Sequence, residues 1–289
     1  SGYSMDMYIE DVDTYHFLYF NSLKRLRYKK YDAGVWSSTE QMATLTTNSY
    51  LLNNSALVVN SSNVPIITYA NFGTGSNLYY GIRNGDGSGN STDINWNVYE
   101  INSSTYNFQS LSLDIYSDTL GLSFNDADPN DLYYATCSSA CETPANWTFE
   151  AIHTSGVVGW YNDIKFNSSG VPVISYLNPT SSTVNYAIRN GGGSGTCANY
   201  GGSNEWNCYE VDSAQASNGD ITKTNKVDFD GSGNIGISYV GSSSDVCLAY
   251  NNGTTSGCSS GLSGWECSCV TKSGSNTYDT VAFAFRSDN

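Results

Sequence analysis

Tryptophan placement constrains this chain more than any other feature. Trp36, Trp96, Trp147, Trp206 and Trp265 follow one another at intervals of 60, 51, 59 and 59 residues, and each closes a unit of similar composition. Self-similarity at a period this long marks an architecture of repeated supersecondary units. Within each unit an apolar segment ends in an aromatic: Val64-Pro-Ile-Ile-Thr-Tyr69, Leu120-Gly-Leu-Ser-Phe124, Val171-Pro-Val-Ile-Ser-Tyr176 and Ile235-Gly-Ile-Ser-Tyr239, with His16-Phe-Leu-Tyr-Phe20 in the first. A second signature follows as Leu26-x-Tyr28, Leu78-x-Tyr80, Leu132-x-Tyr134, Val184-x-Tyr186 and Leu248-x-Tyr250, and then the tryptophan segment. Apolar and aromatic residues at period two, broken by Gly, Asn and Ser clusters, specify short antiparallel strands, and no segment sustains a helical period.

The chain therefore reads as all-β. Four strands per unit, repeated five times, predict a five-bladed β-propeller in which each twisted sheet packs on the next and only short edges remain. The blades are expected at residues 1–42, 54–102, 110–152, 160–212 and 222–272 of a single domain spanning 1–289. The distance from the third-strand tyrosine to the tryptophan varies as 8, 16, 13, 20 and 15 residues, so insertions collect in the loops between third and fourth strands, on one rim. Blades two and four are the closest pair, sharing Ile82-Arg-Asn-Gly-Asp-Gly-Ser-Gly89 with Ile188-Arg-Asn-Gly-Gly-Gly-Ser-Gly195, and Trp96-Asn-Val-Tyr-Glu-Ile101 with Trp206-Asn-Cys-Tyr-Glu-Val211. With a Pro-x-Ile-Ser-Tyr, Leu-x-Tyr-Ala and Trp pattern in its blades, the chain resembles five-bladed propellers of secreted bacterial proteins. That resemblance implies a fold and transfers no catalytic residue, because propellers host lectins, glycosidases, scaffolds and adhesins alike.

Composition narrows the functional classes. With 27 acids against 12 bases the formal charge is −15, which disfavours nucleic acid and anionic membranes as partners. Charged residues are only 13% of the chain, yet 39% hydrophobic residues, with 23 tyrosines, supply a core large enough to exclude wholesale disorder. No apolar run approaches the roughly 18 residues of a membrane span. A start at Ser1 fits a mature product whose signal peptide has been removed. Eight cysteines beside two histidines, with no Cys-x-x-Cys, point to four disulfides and an oxidising, extracellular or cell-surface location.

Aligning blades four and five pairs Cys197 with Cys208 and Cys258 with Cys267. Cys247 and Cys269 are then opposed across a hairpin, and Cys137 with Cys141 remains. Asn-x-Ser/Thr acceptors occur at Asn53, Asn60, Asn90, Asn102, Asn146, Asn167 and Asn252, about as many as chance gives in so Asn- and Ser-rich a chain.

The terminal segments supply one strand too many. Asp6, Met7, Tyr8 and Ile9 read as a first strand for blade one, and residues 277–286, with Tyr278-Asp-Thr-Val-Ala-Phe-Ala-Phe285, read as another. Five blades need twenty strands, and this gives 21. Either the C-terminal strand closes the ring and the N-terminal segment is an added strand or arm, or one of them pairs with a neighbouring copy. Head-to-tail contacts of that kind build filaments. Lys24, Arg25, Arg27, Lys29 and Lys30 place five of the twelve bases in seven residues, a solvated edge or a patch able to dock an acidic copy of the same chain.

Catalytic chemistry has few carriers. His16 and His153 lie beside no nucleophile motif. Asp228-Phe-Asp230-Gly-Ser232 looks like the start of a calcium loop, but Tyr239 stands where a bidentate Glu is required, and the hairpin-turn reading is favoured. Asp114 and Asp163 match as first-strand acids, with Asp6 and Asp279 as looser matches, and a pair at suitable separation would serve a glycoside hydrolase. Repeat-equivalent acids more often cap turns or line a channel. Exposed Tyr and Trp on Asn/Gly-rich rims would suit a lectin, although most aromatics follow the repeat and so belong to the core. The expectation is an extracellular, non-enzymatic structural or adhesive protein without cofactor, a possible filament subunit; a carbohydrate-binding lectin is the alternative and a hydrolase the third.

Overall fold

The structure is a computed structural model, described for residues 2–44, 54–71, 76–103, 105–198, 205–214, 224–243, 245–270, 281 and 283–285. These residues form a five-bladed β-propeller of antiparallel blades, with a single 3-10 turn at Pro144–Asn146. Blade one holds β1 (Gly2–Ile9), β2 (Thr14–Asn21), β3 (Arg25–Asp32), β4 (Val35–Trp36) and β5 (Glu40–Thr44). Its fourth strand is broken: β4 pairs with the end of β3 and β5 with its beginning. Blade two is β6 (Ser55–Val59), β7 (Pro65–Ala70), β8 (Asn77–Arg83) and β9 (Trp96–Ser103), and blade three is β10 (Phe108–Tyr116), β11 (Thr119–Asp126), β12 (Asp131–Cys137) and β13 (Thr148–His153). Blade four is β14 (Trp160–Phe166), β15 (Pro172–Asn178), β16 (Thr183–Arg189) and β17 (Trp206–Ser213); blade five is β18 (Lys226–Phe229), β19 (Ile235–Val240), β20 (Val246–Tyr250) and β21 (Glu266–Val270). In blades two to five the strands neighbour one another in chain order, so each connection within those blades is a hairpin. The chain divides into two compact units, residues 1–128 with 135–149, and 129–134 with 150–289.

Cross-strand register puts the blades on a common frame. Leu57 faces Ile67 in blade two, Ile164 faces Ile174 in blade four, and Val227 faces Ile237 in blade five. Two residues further along the second strand stand Tyr69, Tyr176 and Tyr239, and the same faces carry Trp96, Trp206 and Trp265. All twelve are buried, none more than 4% exposed. Each set packs on the blade before it: blade two on Leu18, Phe20, Leu26 and Tyr28, blade four on Leu132, Tyr134 and Ile152, blade five on Val173, Val184 and Tyr186. The indoles meet third-strand tyrosines at ring-centroid distances of 5.2 Å for Tyr28–Trp96, 5.2 Å for Tyr134–Trp206 and 5.1 Å for Tyr186–Trp265. A fully buried aromatic side chain removes more apolar area from water than any other type, so this recurring pair is the main adhesive between blades.

Three expectations need correction. Trp36 takes the tryptophan position in register, opposite Tyr31, but it is 49% exposed and stacks within its own blade on Phe17 and Tyr31. In blade five, Ser238 faces Leu248, as Ser175 faces Tyr186 and Thr68 faces Tyr80, so Leu248 occupies the tyrosine slot and Tyr250 lies two residues beyond it. The N-terminal segment is no arm: β1 pairs with β2 from Gly2↔Asn21 to Ile9↔Tyr15 and is the first strand of blade one. Most of the expected strand 277–286 lies outside the described residues. Those that are described, 281 and 283–285, join no sheet but lie on blade five, where an alanine-sized side chain at Gly236 would meet the rings of Phe283 and Phe285.

The disulfides Cys137–Cys141, Cys197–Cys208, Cys247–Cys269 and Cys258–Cys267 all form. Cys247 faces Cys269 directly across the β20–β21 ladder. No helix among the described residues is long and apolar enough to cross a membrane.

Candidate functional site

Two blades end their third strands with an arginine at the base of a glycine-rich loop, and in both that arginine is tied to an acid from the preceding blade. In the first station Arg83 closes β8, and its Nε and Nη2 donate to Glu40 of β5 at 3.0 and 2.8 Å. Trp96 donates its indole N–H to the same carboxylate at 2.6 Å. Glu40 is 5% exposed in its side chain and Arg83 34%, so the acid is a buried anchor while the guanidinium presents part of its edge to solvent. The hydrogen bond to Glu40 raises the Arg83 pKa further, which keeps it charged.

The second station repeats the plan on β16 and β17. Trp206 donates to Glu150 at 2.8 Å, Arg189 Nε lies 3.4 Å from that carboxylate, and Arg189 Nη2 lies 2.5 Å from Glu205 in the loop. This station is more open, with Glu150 at 26%, Arg189 at 38% and Glu205 at 35% exposure. Two carboxylates and a planar guanidinium, set beside an indole and a loop of small residues, make an array of directional donors and acceptors suited to vicinal hydroxyls.

The loops are shaped for this place. Gly89 donates to Ile94 at 2.6 Å, and a Cβ added there would lie 2.2 Å from the Trp96 carbonyl oxygen, so only glycine lets the loop fold down on β9. In blade four the Cys197–Cys208 disulfide and the Cys197 N–H to Trp206 C=O bond do the same work. Sequence reasoning recognised these loops as repeats and missed the station, because Glu40 lies 43 residues before Arg83 and belongs to another blade.

First-strand acids have a different task. Asp6 accepts the Leu57 N–H at 2.8 Å, and Asp163, 5% exposed, accepts the Val227 N–H at 2.9 Å and the Lys226 ammonium at 2.8 Å. Each carboxylate thus latches its blade to the first strand of the next. Asp6 faces Leu18 and Asp163 faces Ser175, equivalent positions that Ser112 facing Ser123 takes in blade three, whereas Asp114 faces Gly121, two residues further along the strand. Register therefore separates Asp114 from Asp163, which the sequence placed together. Asp279 lies outside the described residues.

The calcium candidates are also spent in other roles. Asp230 accepts the N–H groups of Ser232 and Asn234 at 2.8 Å each and the Tyr250 hydroxyl, an Asx-type turn, and the Tyr250 bond leads the causes that lower its pKa to about 2. Asp228 accepts the Phe285 N–H at 2.8 Å, and Ser232 contributes its backbone to the turn. No group of three His, Cys, Asp or Glu among the described residues is arranged to hold a metal.

Both histidines lie against tyrosine hydroxyls, His16 buried and His153 half-buried. His16 Nδ1 lies 2.7 Å from Tyr28 Oη and its Nε2 2.7 Å from Glu10; His153 Nδ1 lies 2.9 Å from Tyr176 Oη. Burial lowers both imidazole pKa values and raises those of Tyr28 and Tyr176.

Of the sequons, Asn53 lies outside the described residues. Asn60 and Asn167 hold hairpin turns with their side-chain oxygens, accepting from Val64 and Val171, while Asn102 is half-buried on β9. Asn90, Asn146 and Asn252 are exposed. In the basic cluster Lys24 sits in the β2–β3 turn at positive φ, Arg25, Arg27 and Lys29 share one face of β3, and Lys30 reaches Glu10 at 3.5 Å. Lys29 Nζ lies 5.1 Å from the centroid of Trp36, a cation–π contact.

No protein-family model matches the chain. Nor does any curated protein match it by sequence. Solved structures do match in shape. A variant of the Aleuria aurantia lectin in complex with Fucalpha1-6GlcNAc gives a TM-score of 0.55 at 12% identity, covering 93% of this chain and 79% of that one. AofleA from Arthrobotrys oligospora gives 0.55 at 11%, covering 86% and 68%. An α-L-arabinofuranosidase from Fusarium graminearum with an iminosugar inhibitor gives 0.51 at 10%, covering 86% and 77%. At these identities the likeness establishes the propeller fold, which those structures use both for binding sugars and for cleaving them.

Proposed function

We propose that this protein is an extracellular, non-enzymatic propeller that binds carbohydrate at its two rim stations and acts as an adhesive surface module. One observation carries the reading. Asp163, the best placed candidate acid, is closed into an ion pair and a backbone latch, while the half-exposed guanidiniums of Arg83 and Arg189 stand beside carboxylates at repeated positions. Glycoside hydrolysis needs an acid and a second carboxyl on opposite sides of a sugar bond, free to exchange protons. A carboxylate held between an ammonium and a buried N–H is poorly set for that exchange. Binding needs only fixed donors and acceptors, and two stations on one chain raise avidity for a glycan-coated surface without any new contact. Four disulfides suit an oxidising location. The lectin structures that share the fold favour the same ligand class.

The test is a glycan array probed with the native protein, followed by titration of the best ligand. Arg189→Ala is expected to weaken binding at least tenfold, with Arg189→Lys intermediate because an ammonium lacks the planar fork. Incubation with the bound glycan should release no free sugar. Binding unchanged in both Arg83→Ala and Arg189→Ala, or release of product, would overturn the proposal.

A further inference from the structure

The two stations share a backbone frame and differ at one position beside the arginine. In the first, Asn84 and Gly85 donate their N–H groups to the Asn95 carbonyl at 2.8 and 3.2 Å; in the second, Asn190 and Gly191 donate to the Glu205 carbonyl at 2.6 and 3.4 Å. Arg83 faces Trp96 across its ladder, and Arg189 faces Trp206. Asn95 and Glu205 therefore hold the same place, next to the arginine that ends the third strand. Glu40 and Glu150 are matched as well, because each accepts the indole N–H.

That one exchange changes what a ligand meets. In the first station both Glu40 oxygens are engaged, by Arg83 and by Trp96, and the carboxylate is buried. Asp93, a further acid that acts on Arg83, accepts the Gln41 and Asn95 N–H groups at 3.3 and 3.1 Å. No carboxylate oxygen is left over there. In the second station Glu150 accepts only the Trp206 N–H, and Glu205, 35% exposed, accepts no hydrogen bond from any described residue. Arg189 touches both acids as ion pairs, yet its buried Nε has no hydrogen-bond partner among the described residues. Two carboxylates thus stand against one guanidinium, a local net −1 on a chain of net −15. Trp206 is 1% exposed, so it orients Glu150 and offers no ring face for stacking, and discrimination falls to the charged groups.

Surplus negative charge with open acceptors calls for a ligand that brings donors and positive charge. A hydroxyl supplies one donor and no charge, whereas an ammonium supplies three donors and the missing charge. A sugar carboxylate would add a like charge instead, at a cost in affinity. We propose that the second station is selective for amino sugars: an unacetylated 2-amino-2-deoxyhexose sets its ammonium against Glu205 and Glu150, and its neighbouring hydroxyls accept from Arg189. This rests on the carbohydrate-binding reading of the stations and adds to it the ligand class and the residue, Glu205, that selects it.

Titration calorimetry of the native protein at about pH 6, where a sugar amine is protonated and carboxylates are ionised, tests the proposal. The probes are a glucosamine oligomer, its fully N-acetylated form and a lysine peptide of equal length. The glucosamine oligomer should bind roughly tenfold or more tightly than the acetylated one, by a margin that shrinks with salt. Glu205→Asn, which copies the first station, and the isosteric Glu205→Gln should abolish that margin by weakening the amine form alone. Asp32→Asn, which removes an exposed acid of blade one, should leave it unchanged. Equal affinity for the two oligomers, binding confined to neutral glycans, or a margin that both Glu205 variants retain would overturn the amino-sugar assignment while leaving sugar binding itself in place. So would a lysine peptide bound as tightly as the glucosamine oligomer, since that marks a bare cation site. Absence of binding to both oligomers and to every glycan of the array would overturn this assignment and the carbohydrate reading together.

Discussion

Asp163 decides between a structural and a catalytic account of the first-strand acids. In Asp163→Ala the Val227 N–H loses an acceptor 2.9 Å away in a site where the aspartate is 5% exposed. A hydrogen bond to a charged group contributes about 1.5–3 kcal/mol, and the orphaned buried N–H adds to the loss. The Lys226 partner is 41% exposed, so the ion pair itself adds about 1 kcal/mol at most. The net expectation is about 3 kcal/mol, which for a domain of this size lowers Tm by roughly 6–12 °C. Asp163→Asn keeps an oxygen for Val227 and should cost about half as much. Differential scanning calorimetry of both variants reads the shift, and amide exchange at Val227 localises it. A normal Tm in Asp163→Asn together with loss of polysaccharide turnover would refute the latch and restore the hydrolase.

Acid should weaken the fold through the two histidines. Burial holds the folded pKa of each below 6.5, so the unfolded chain takes up protons first as pH drops through about 6.5, and stability, complete above that value, declines until the folded pKa is reached. Each site contributes a slope of up to about 1.4 kcal/mol per pH unit, so the fall in Tm between neutral pH and pH 5 should be shallower in His16→Gln and His153→Gln than in the native protein. Gly89→Ala forces the loop off Trp96 and should cut binding at the first station at least tenfold while leaving the second intact, read by titration against the double variant with Arg189→Ala.

Much of the fold was legible because the repeat is written in large buried side chains. Trp96, Trp206 and Trp265, with the tyrosines under them, recur in sequence for the same reason that they recur in space: each fills the seam between two sheets. The disulfides were legible through the same alignment, since Cys208 and Cys267 hold one place on equivalent strands. Trp36 shows the limit of that logic. Its position follows the repeat, but burial depends on what lies against it, and this indole stacks on Phe17 and Tyr31 of its own blade.

Side-chain partnerships between blades were the illegible part. Glu40 with Arg83, and Asp163 with Val227, join residues 43 and 64 positions apart through the packing of successive sheets. No local motif encodes them. The two-residue offsets that separate Asp114 from Asp163, and Tyr250 from Leu248, are of another kind: a strand keeps its face after a shift of two, so the apolar pattern reads the same in either register.

The most direct measurement is the affinity of the purified protein for the glycan it binds best, taken with a chromatographic assay of that glycan after prolonged incubation. The account expects saturable binding that falls when Arg83 and Arg189 are both replaced by alanine, with the glycan recovered intact. Recovery of cleaved sugar, or equal affinity in the double variant, would contradict it.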